Sequence, residues 1–423
     1  MCQAYISILW FLCVLLNELI SVMEFFITQI SLFVFVFTAT STTLLNPVYG
    51  GGCDFPAIFN FGASNSDTGG YAAAFEGPKP PHGDTYFHRP AGRYSDGRII
   101  IDFIAQSFGL TYLSAYLDSL GSNFSHGANF ATLGSTIILP KSVKPRGSPF
   151  FLGVQYLQFK EFKARSQFIK DQGGMFSTLM PKEEYFSRAL YTFDIGQNDL
   201  IDAFSGNTTI QQVSDSIHDM VDNFVANIKN IYDLGARSFW IHNTGPIGCL
   251  PGILTKFPSA ERDSSGCAKQ YNEVAQYFNK ELKEALAKLH EDLLVSMAYV
   301  DIYSAKYSLF CNPKKYGFEH PLVTCCGYGG KYNYIDGVVC GGTITVDGDK
   351  IFVGSCEKPS TRVIWDGYHY TEAANKVVFD LISTGAFSDP PIPLNMSCSR
   401  NFIGGARRSI SSPRKKDFDE DNQ

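Results

Sequence analysis

A chain of 423 residues that is 45% hydrophobic and 18% charged is long and apolar enough to bury a full core, so it is not disordered as a whole. One large α/β domain accounts for that length at least as well as two smaller ones. The net charge of −6 and the lack of any long basic stretch in the body of the chain argue against nucleic-acid binding, and aromatic residues at 14% are expected mainly to pack a core, with some of them lining a groove for acyl chains or sugar rings as the alternative. In chain order, residues 1–50 come first and read as a hydrophobic signal region outside the fold. Their two apolar runs, 6–16 and 25–37, contain no lysine or arginine, and Met23 between them is an alternative true start. Neither run approaches the ~20 uninterrupted apolar residues of a spanning helix, so no stable membrane span is expected in the mature chain.

The run 55–61 reads as a strand that breaks into small and polar residues, Gly62-Ala63-Ser64-Asn65-Ser66-Asp67-Thr68-Gly69-Gly70, which would place the Ser64 hydroxyl, exposed, at the carboxyl edge of a sheet. Taken alone, that cluster reads as a solvated turn whose side chains bond their own backbone. A helix is expected over 98–108, and the block from Asn123 to Ala131 then offers Gly127, whose amide could approach a ligand closely. The strand 189–195 leads to Asn198 at its tip. Further helices are expected over 210–234, 268–293 and 371–381, and further strands over 238–242 and 297–302. Such alternation implies a parallel sheet, whose ligands bind beyond the carboxyl ends of the strands, where Ser64 and Asn198 both fall. Residues 304–360, rich in Gly, Tyr and Cys and without a clear period, read as a disulfide-pinned excursion. Asp366-Gly367-Tyr368-His369 then puts a carboxylate and an imidazole three positions apart just before the last helix, so one loop carries a base and the group that orients it. Alone, this too reads as a helix cap beside a surface histidine. The domain is expected to span 53–398, followed by a polar tail, 399–423, expected to be disordered.

Eleven cysteines, less Cys2 and Cys13 in the signal region, leave nine for the domain. Cys249 and Cys267 bracket one loop, and Cys325, Cys326, Cys340 and Cys356 cluster in another. Disulfides of a secreted chain fit this usage better than zinc, because no Cys-x-x-Cys pair occurs and histidines are few. Cys53 and Cys398 could tie the ends of the domain together, leaving Cys311, which stands apart, as the expected free thiol. Three sequons, at Asn123, Asn207 and Asn395, agree with a secretory route.

With Ser64, Gly127, Asn198 and Asp366/His369 in this order, the chain resembles the plant GDSL esterase/lipase family of the SGNH hydrolase superfamily, closest to the early-nodulin and fucosidase-like esterases. The resemblance runs from about residue 53 to about 398 and includes Gly92-Arg93-Tyr94-Ser95-Asp96-Gly97-Arg98 and Thr244-Gly245-Pro246-Ile247-Gly248-Cys249-Leu250-Pro251. It implies a flavodoxin-like three-layer α/β sandwich with a central parallel sheet. It also implies Ser64 as nucleophile, His369 as base, Asp366 as its orienting carboxylate, and an oxyanion hole made by the amides of Ser64 and Gly127 with the side chain of Asn198. One position departs from the family pattern: Ala63 stands where an aspartate usually precedes the nucleophile, which puts the support of the nucleophile turn in question.

The expected activity is hydrolysis of carboxylic esters through an acyl-serine intermediate, on a small-molecule or cell-wall substrate outside the cell, with no cofactor and no metal. Two other functions are carried beside it. A non-catalytic binding protein on the same scaffold is suggested by Ala63. A fucosidase-like glycosidase would need two facing carboxylates, and no spacing in the chain selects such a pair.

Overall fold

The computed structural model describes residues 52–140, 147–204 and 208–399. The expected signal region with Met23, the sequon residue Asn207 and the tail beyond Ser399 lie outside the described residues. Eight strands are described: β1 (Ile58–Gly62), β2 (Gly127–Asn129), β3 (Leu190–Asp194), β4 (Ser238–His242), β5 (Ser296–Val300), β6 (Thr343–Val346), β7 (Asp349–Phe352) and β8 (Ser388–Asp389). Six of them form one sheet in the order β2-β1-β3-β4-β5-β8, and β6 and β7 make a separate hairpin. The expected parallel sheet is therefore mixed at one edge, since the two-residue β8 pairs antiparallel with β5 while the other five strands run parallel. Every residue of β1, β3 and β4 is buried, as helices on both faces of a parallel sheet require.

The aromatic residues do pack the core. Phe61 on β1 lies 5.0 Å from Phe193 on the neighbouring β3 and 5.2 Å from Phe130, all three stacked, while Phe59 stacks on Phe186 at 5.1 Å. Rings two residues apart on one strand and opposite each other on the next join into a continuous layer on one face of the sheet.

The helices used below are α1 (Gly70–Ala74), α2 (Ile100–Ser107), α3 (Leu152–Gln172), α4 (Gln197–Ala203), α5 (Ile210–Asp215), α6 (Ile217–Asp233), α7 (Lys269–Asp292), α8 (Ile302–Cys311) and α9 (Glu372–Ile382). The single helix expected over 210–234 is broken at Ser216, whose hydroxyl bonds back to the carbonyl of Val213 at 2.7 Å and competes with the helix ladder. The long helix α3 was not expected. Its buried residues include Gln155 and Ser166 while Leu157 and Phe168 are exposed, so hydrophobicity does not mark one face. The start of the expected excursion at 304–360 is the helix α8, whose Ile302, Ala305, Leu309 and Phe310 are buried.

Four disulfides join Cys53 to Cys398, Cys249 to Cys267, Cys325 to Cys356 and Cys326 to Cys340, and Cys311 is free and exposed. The two adjacent cysteines hold the excursion against the segment that leads to Asp366: Cys325 N–H donates to the carbonyl of Ile364 at 2.9 Å, Cys326 N–H to that of Trp365 at 2.6 Å, and Trp365 is fully buried beside them. Loop length ranks the bonds. The Cys53–Cys398 link spans 345 residues and the Cys249–Cys267 link 18, so the loop-entropy model gives them roughly 5–6 and 3 kcal/mol. Replacing Cys53 and Cys398 together by alanine is therefore expected to lower the urea midpoint more than the same change at Cys249 and Cys267; the reverse order would show that local packing outweighs chain entropy here.

Candidate active site

Beyond β1 the chain leaves the sheet inside the protein, and its backbone polar groups are satisfied by side chains from elsewhere. Gln155 of α3 bonds both backbone groups of Gly62, accepting from its N–H and donating to its carbonyl, each at 2.9 Å. Asn129 of β2 donates to the carbonyl of Ser66 at 2.7 Å and to the Thr68 hydroxyl at 2.9 Å. Its own oxygen accepts from Asn60 of β1, whose oxygen in turn accepts from Thr192 of β3. Asp67 accepts the N–H groups of Gly69, Gly70, Tyr71 and Leu133. Burial pushes the Asp67 carboxyl up to about 6, which these N–H bonds offset only in part. Ser64 sits within this cradle and is 3% exposed as a residue.

Asp366 and His369 meet as the spacing predicted. His369 Nδ1 lies 2.9 and 2.8 Å from the two Asp366 oxygens, and the same carboxylate accepts the N–H of Tyr368 and of His369. Burial alone would raise the Asp366 carboxyl, but the His369 ring and the Tyr368 N–H outweigh it and hold the group below the usual carboxylate range. Nδ1 facing the carboxylate leaves Nε2 as the nitrogen that can take up and release a proton.

The stretch Gly92 to Arg98 spans the gap between the two loops. Gly92 packs so closely on Gly69 that a Cβ there would come within 2.5 Å of the Gly69 Cα. Arg93 donates to the carbonyl of Thr68 at 3.0 Å while its other nitrogens form a buried ion pair with Asp102 of α2. On the other side, the Tyr94 ring lies 5.5 Å from that of His369, Ser95 donates to the carbonyl of Tyr370 at 2.9 Å, and Asp96 accepts the Glu372 N–H at 2.7 Å. One seven-residue segment thus touches the Ser64 loop and the His369 loop at once.

The expected oxyanion donors divide. Asn198 is in the first turn of α4, and Asn65, next to Ser64, donates to Gln197 beside it at 3.2 Å, so Ser64 and Asn198 are brought together. Asn198 donates one amide hydrogen to the carbonyl of Ser135 at 2.8 Å, which leaves the second for a ligand. Gly127 does not belong to this site. It pairs with Ile58, at the opposite end of β1 from Ser64, and its N–H already donates to the carbonyl of Phe124. Its φ of +108° and a Cβ position 1.8 Å from the Ile58 carbonyl oxygen explain the glycine by a tight strand entry. The turn beyond the far end of β2 is the one that reaches the Ser64 loop. Thr132 N–H bonds the carbonyl of Gly62, Leu133 N–H bonds Asp67, and the Ser135 carbonyl receives Asn198, which places Gly134 between two residues fixed to the site. Asp199 closes this arrangement by accepting the N–H groups of Ile137 and Ile138, and burial pushes its carboxyl up to about 7.

Gly134, Gln155 and Arg93 were missed as site residues. Gly134 carried a signal in Asn129-Phe130-Ala131-Thr132-Leu133-Gly134, a glycine just past an apolar stretch, whereas Gln155 and Arg93 act through contacts that no local pattern reveals. Among the described residues no group of three or more His, Cys, Asp or Glu side chains is placed to hold a metal ion, and no helix is long and apolar enough to cross a membrane. Of the three sequon asparagines, Asn123 and Asn395 are described and both are exposed.

A family model described as GDSL-like Lipase/Acylhydrolase matches residues 58–382. The chain is 66% identical over 351 residues to a GDSL esterase/lipase, ENOD8, of Medicago truncatula, covering 82% of this chain and 91% of the relative. It is 65% identical over 353 residues to an esterase of Hevea brasiliensis, covering 82% and 90%. A protein of Arabidopsis thaliana named alpha-L-fucosidase 3 is 52% identical over 339 residues, covering 79% and 91%. With a serine held at the carboxyl edge of the sheet, an Asp–His pair tied to its loop, and a match that takes in both, the chain belongs to the GDSL-like lipase/acylhydrolase family and is a serine esterase/lipase, a hydrolase of ester bonds.

Proposed function

We propose that Ser64 attacks the ester carbonyl while His369 Nε2 takes its proton, and that His369 then returns the proton to the leaving alcohol to give an acyl-serine that water hydrolyses. The observation that carries this reading is the 2.8 Å bond from Asp366 to His369 Nδ1 on a loop joined to the Ser64 loop through Arg93 and Tyr94. Asp366 selects the tautomer with Nε2 free and stabilises the imidazolium formed on proton transfer. The oxyanion is received by the Ser64 N–H, the Gly134 N–H and the Asn198 side chain, Gly134 replacing Gly127 in the set. The four disulfides, the exposed Asn123 and Asn395 and the apolar residues 1–50 support a secreted, glycosylated enzyme of the cell wall or apoplast acting on a small-molecule or cell-wall ester.

The relative named as a fucosidase raises glycoside cleavage as a second reading. It needs two facing carboxylates ~5–9 Å apart with freedom to act as acid and as base or nucleophile. The carboxylates around Ser64 are committed elsewhere, Asp67 and Asp199 to backbone N–H groups and Asp366 to His369, so the geometry favours esters. A binding-only role, suggested by Ala63, has the intact Asp–His pair against it. Ala63 is buried, and its N–H donates to the carbonyl of Asp194 at 2.9 Å, which holds the turn by its main chain.

The folded protein is expected to take one fluorophosphonate label on the peptide carrying Ser64, and Ser64→Ala to lose both label and ester turnover. Asn198→Ala should lower kcat by roughly 10²–10³, whereas Gly127→Ala should lower the melting temperature and leave labelling per folded molecule unchanged. A label on another serine, or aryl-fucoside cleavage without ester cleavage, would sink the assignment. Ala63→Asp is expected to change kcat modestly at constant substrate preference; a large gain from almost no activity would favour the binding-only role. Asp366→Asn should cut kcat by roughly 10⁴, and its stability should depend on pH in a defined sense. Because the native carboxyl ionises below its unfolded value of about 3.9, wild type keeps an advantage over Asp366→Asn at pH 7 that shrinks only as the pH falls below about 4 and through the native value. Urea unfolding at pH 7, 4 and 3 tests this, and a gap that widens toward acid would contradict it.

A further inference from the structure

A second histidine is buried beside the Asp366–His369 loop. His82 is 4% exposed, and its Nδ1–H donates at 2.8 Å to the carbonyl of Lys79, the same carbonyl that accepts the His82 main-chain N–H, so the turn itself fixes the rotation of the ring. The ring meets two others edge to face, with its centre 5.7 Å from that of Trp365 and 5.9 Å from that of Tyr94. Its Nδ1 also lies 3.8 Å from the sulfur of Cys340, in the excursion. The residues after it are strapped to the segment from Gly92 to Arg98, since the Gly83 N–H donates to the carbonyl of Ser95 at 3.0 Å and the Thr85 N–H to that of Asp96 at 2.8 Å.

These contacts close a circuit. Trp365 precedes Asp366, Asp366 holds His369 Nδ1, the His369 ring lies 5.5 Å from that of Tyr94, Tyr94 meets His82, and His82 returns to Trp365. Trp365 is a fixed point in it, fully buried against Cys325 and Cys326, with its N–H donated to the carbonyl of His369 at 2.8 Å. The bond from Asp366 restrains one atom of the imidazole and leaves the ring plane able to swing about that bond. Contact with the Tyr94 ring limits the swing, and Tyr94 keeps its place through its own ring neighbours, His82 and, at 6.3 Å, Tyr71. His82 is the one of those two that also reaches the loop of Asp366. Burial pushes the His82 imidazolium down, so the ring packs as a neutral wedge and adds no second positive charge beside the imidazolium that His369 becomes.

We propose that His82 is a positioning residue for the ester hydrolysis ascribed to this site: held between Trp365 and Tyr94, its ring fixes the plane of the His369 imidazole and so keeps Nε2 directed at the Ser64 hydroxyl. The proposal rests on the serine-esterase reading of Ser64 and His369. Its signature is a loss of kcat with little change in KM, because alignment of the reacting groups is altered while the substrate's contacts remain.

The test compares wild type, His82→Leu, His82→Phe, Tyr94→Leu, and His82→Leu combined with Tyr94→Leu, using p-nitrophenyl acetate turnover, fluorophosphonate labelling of Ser64 and thermal melting. Both His82 variants lose the bond to Lys79 and keep an apolar side chain in its place, so both are expected to melt lower, and only His82→Phe keeps a ring. His82→Leu is expected to lower kcat about 10²-fold, with KM within about twofold and the labelling rate reduced by the same factor as kcat, while His82→Phe returns most of that loss. Because His82 acts through Tyr94, the double variant should lose no more kcat than Tyr94→Leu alone, which independent contributions would not give. Equal kcat in His82→Leu and His82→Phe would overturn the proposal, as would additive losses in the double variant or a rise in KM at constant kcat. So would failure of both His82 variants to fold, which would assign the ring to the fold alone. If wild type itself shows neither turnover nor a Ser64 label, the reading of the site fails, and that result is separate from any difference among the variants.

Discussion

The structure depends on one constraint: a turn that leaves the carboxyl edge of β1 inside the protein must find partners beyond the strand ladder for most of its backbone N–H and carbonyl groups. Asp67 from within the turn, and Gln155, Asn129 and Arg93 from three other parts of the chain, do this for residues 62–71. An unpaired buried backbone group costs about 1–3 kcal/mol, so several such groups left open would be enough to expel the turn from the site. The result is a turn around Ser64 held largely by side chains. That explains how the protein accommodates Ala63, because the bonds that fix the turn run through the Ala63 N–H and through residues on either side of it, not through the side chain at position 63.

The same logic extends to the second half of the site. Asp366 and His369 are local to one loop, which is tied to the Ser64 loop through Gly92 to Arg98 and held by the two disulfides of the excursion against the segment before Asp366. Tyr334, from within that excursion, packs on Gly367 so closely that a Cβ there would come within 2.3 Å of its ring. Support from several directions fixes the loop that carries the Asp366–His369 pair. The buried Arg93–Asp102 ion pair ties the segment between the two loops to α2.

The ionisable groups around Ser64 are sorted by their environments. Asp366 is held ionised beside a histidine, while Asp67 and Asp199 are pushed up by burial and spend their oxygens on backbone N–H groups. Only the first of these carboxylates is paired with an imidazole. The other two act as braces for the turn that carries Ser64 and for the turn that carries Gly134.

Much of this was legible from the chain alone. Four of the five parallel strands, the position of Ser64, the Asp366–His369 pair and the set of paired cysteines follow from local pattern, because apolar runs, the 3.6-residue period and short motifs are properties of neighbouring residues. What the tertiary structure decided is non-local. Whether Cys325 pairs with Cys356 or with Cys340 depends on how the excursion folds back, and adjacent cysteines leave both options open. Gly127 and Gly134 lie in one block, and only the register of β2 against Ile58 shows that the first enters the strand and the second lies beyond its carboxyl end. Gln155 and Arg93 gain their meaning from partners 93 and 25 residues away, at Gly62 and Thr68. Sequence by itself determined which residues could do the chemistry; the three-dimensional pairing of distant buried polar groups decided which of them are held where the chemistry can happen.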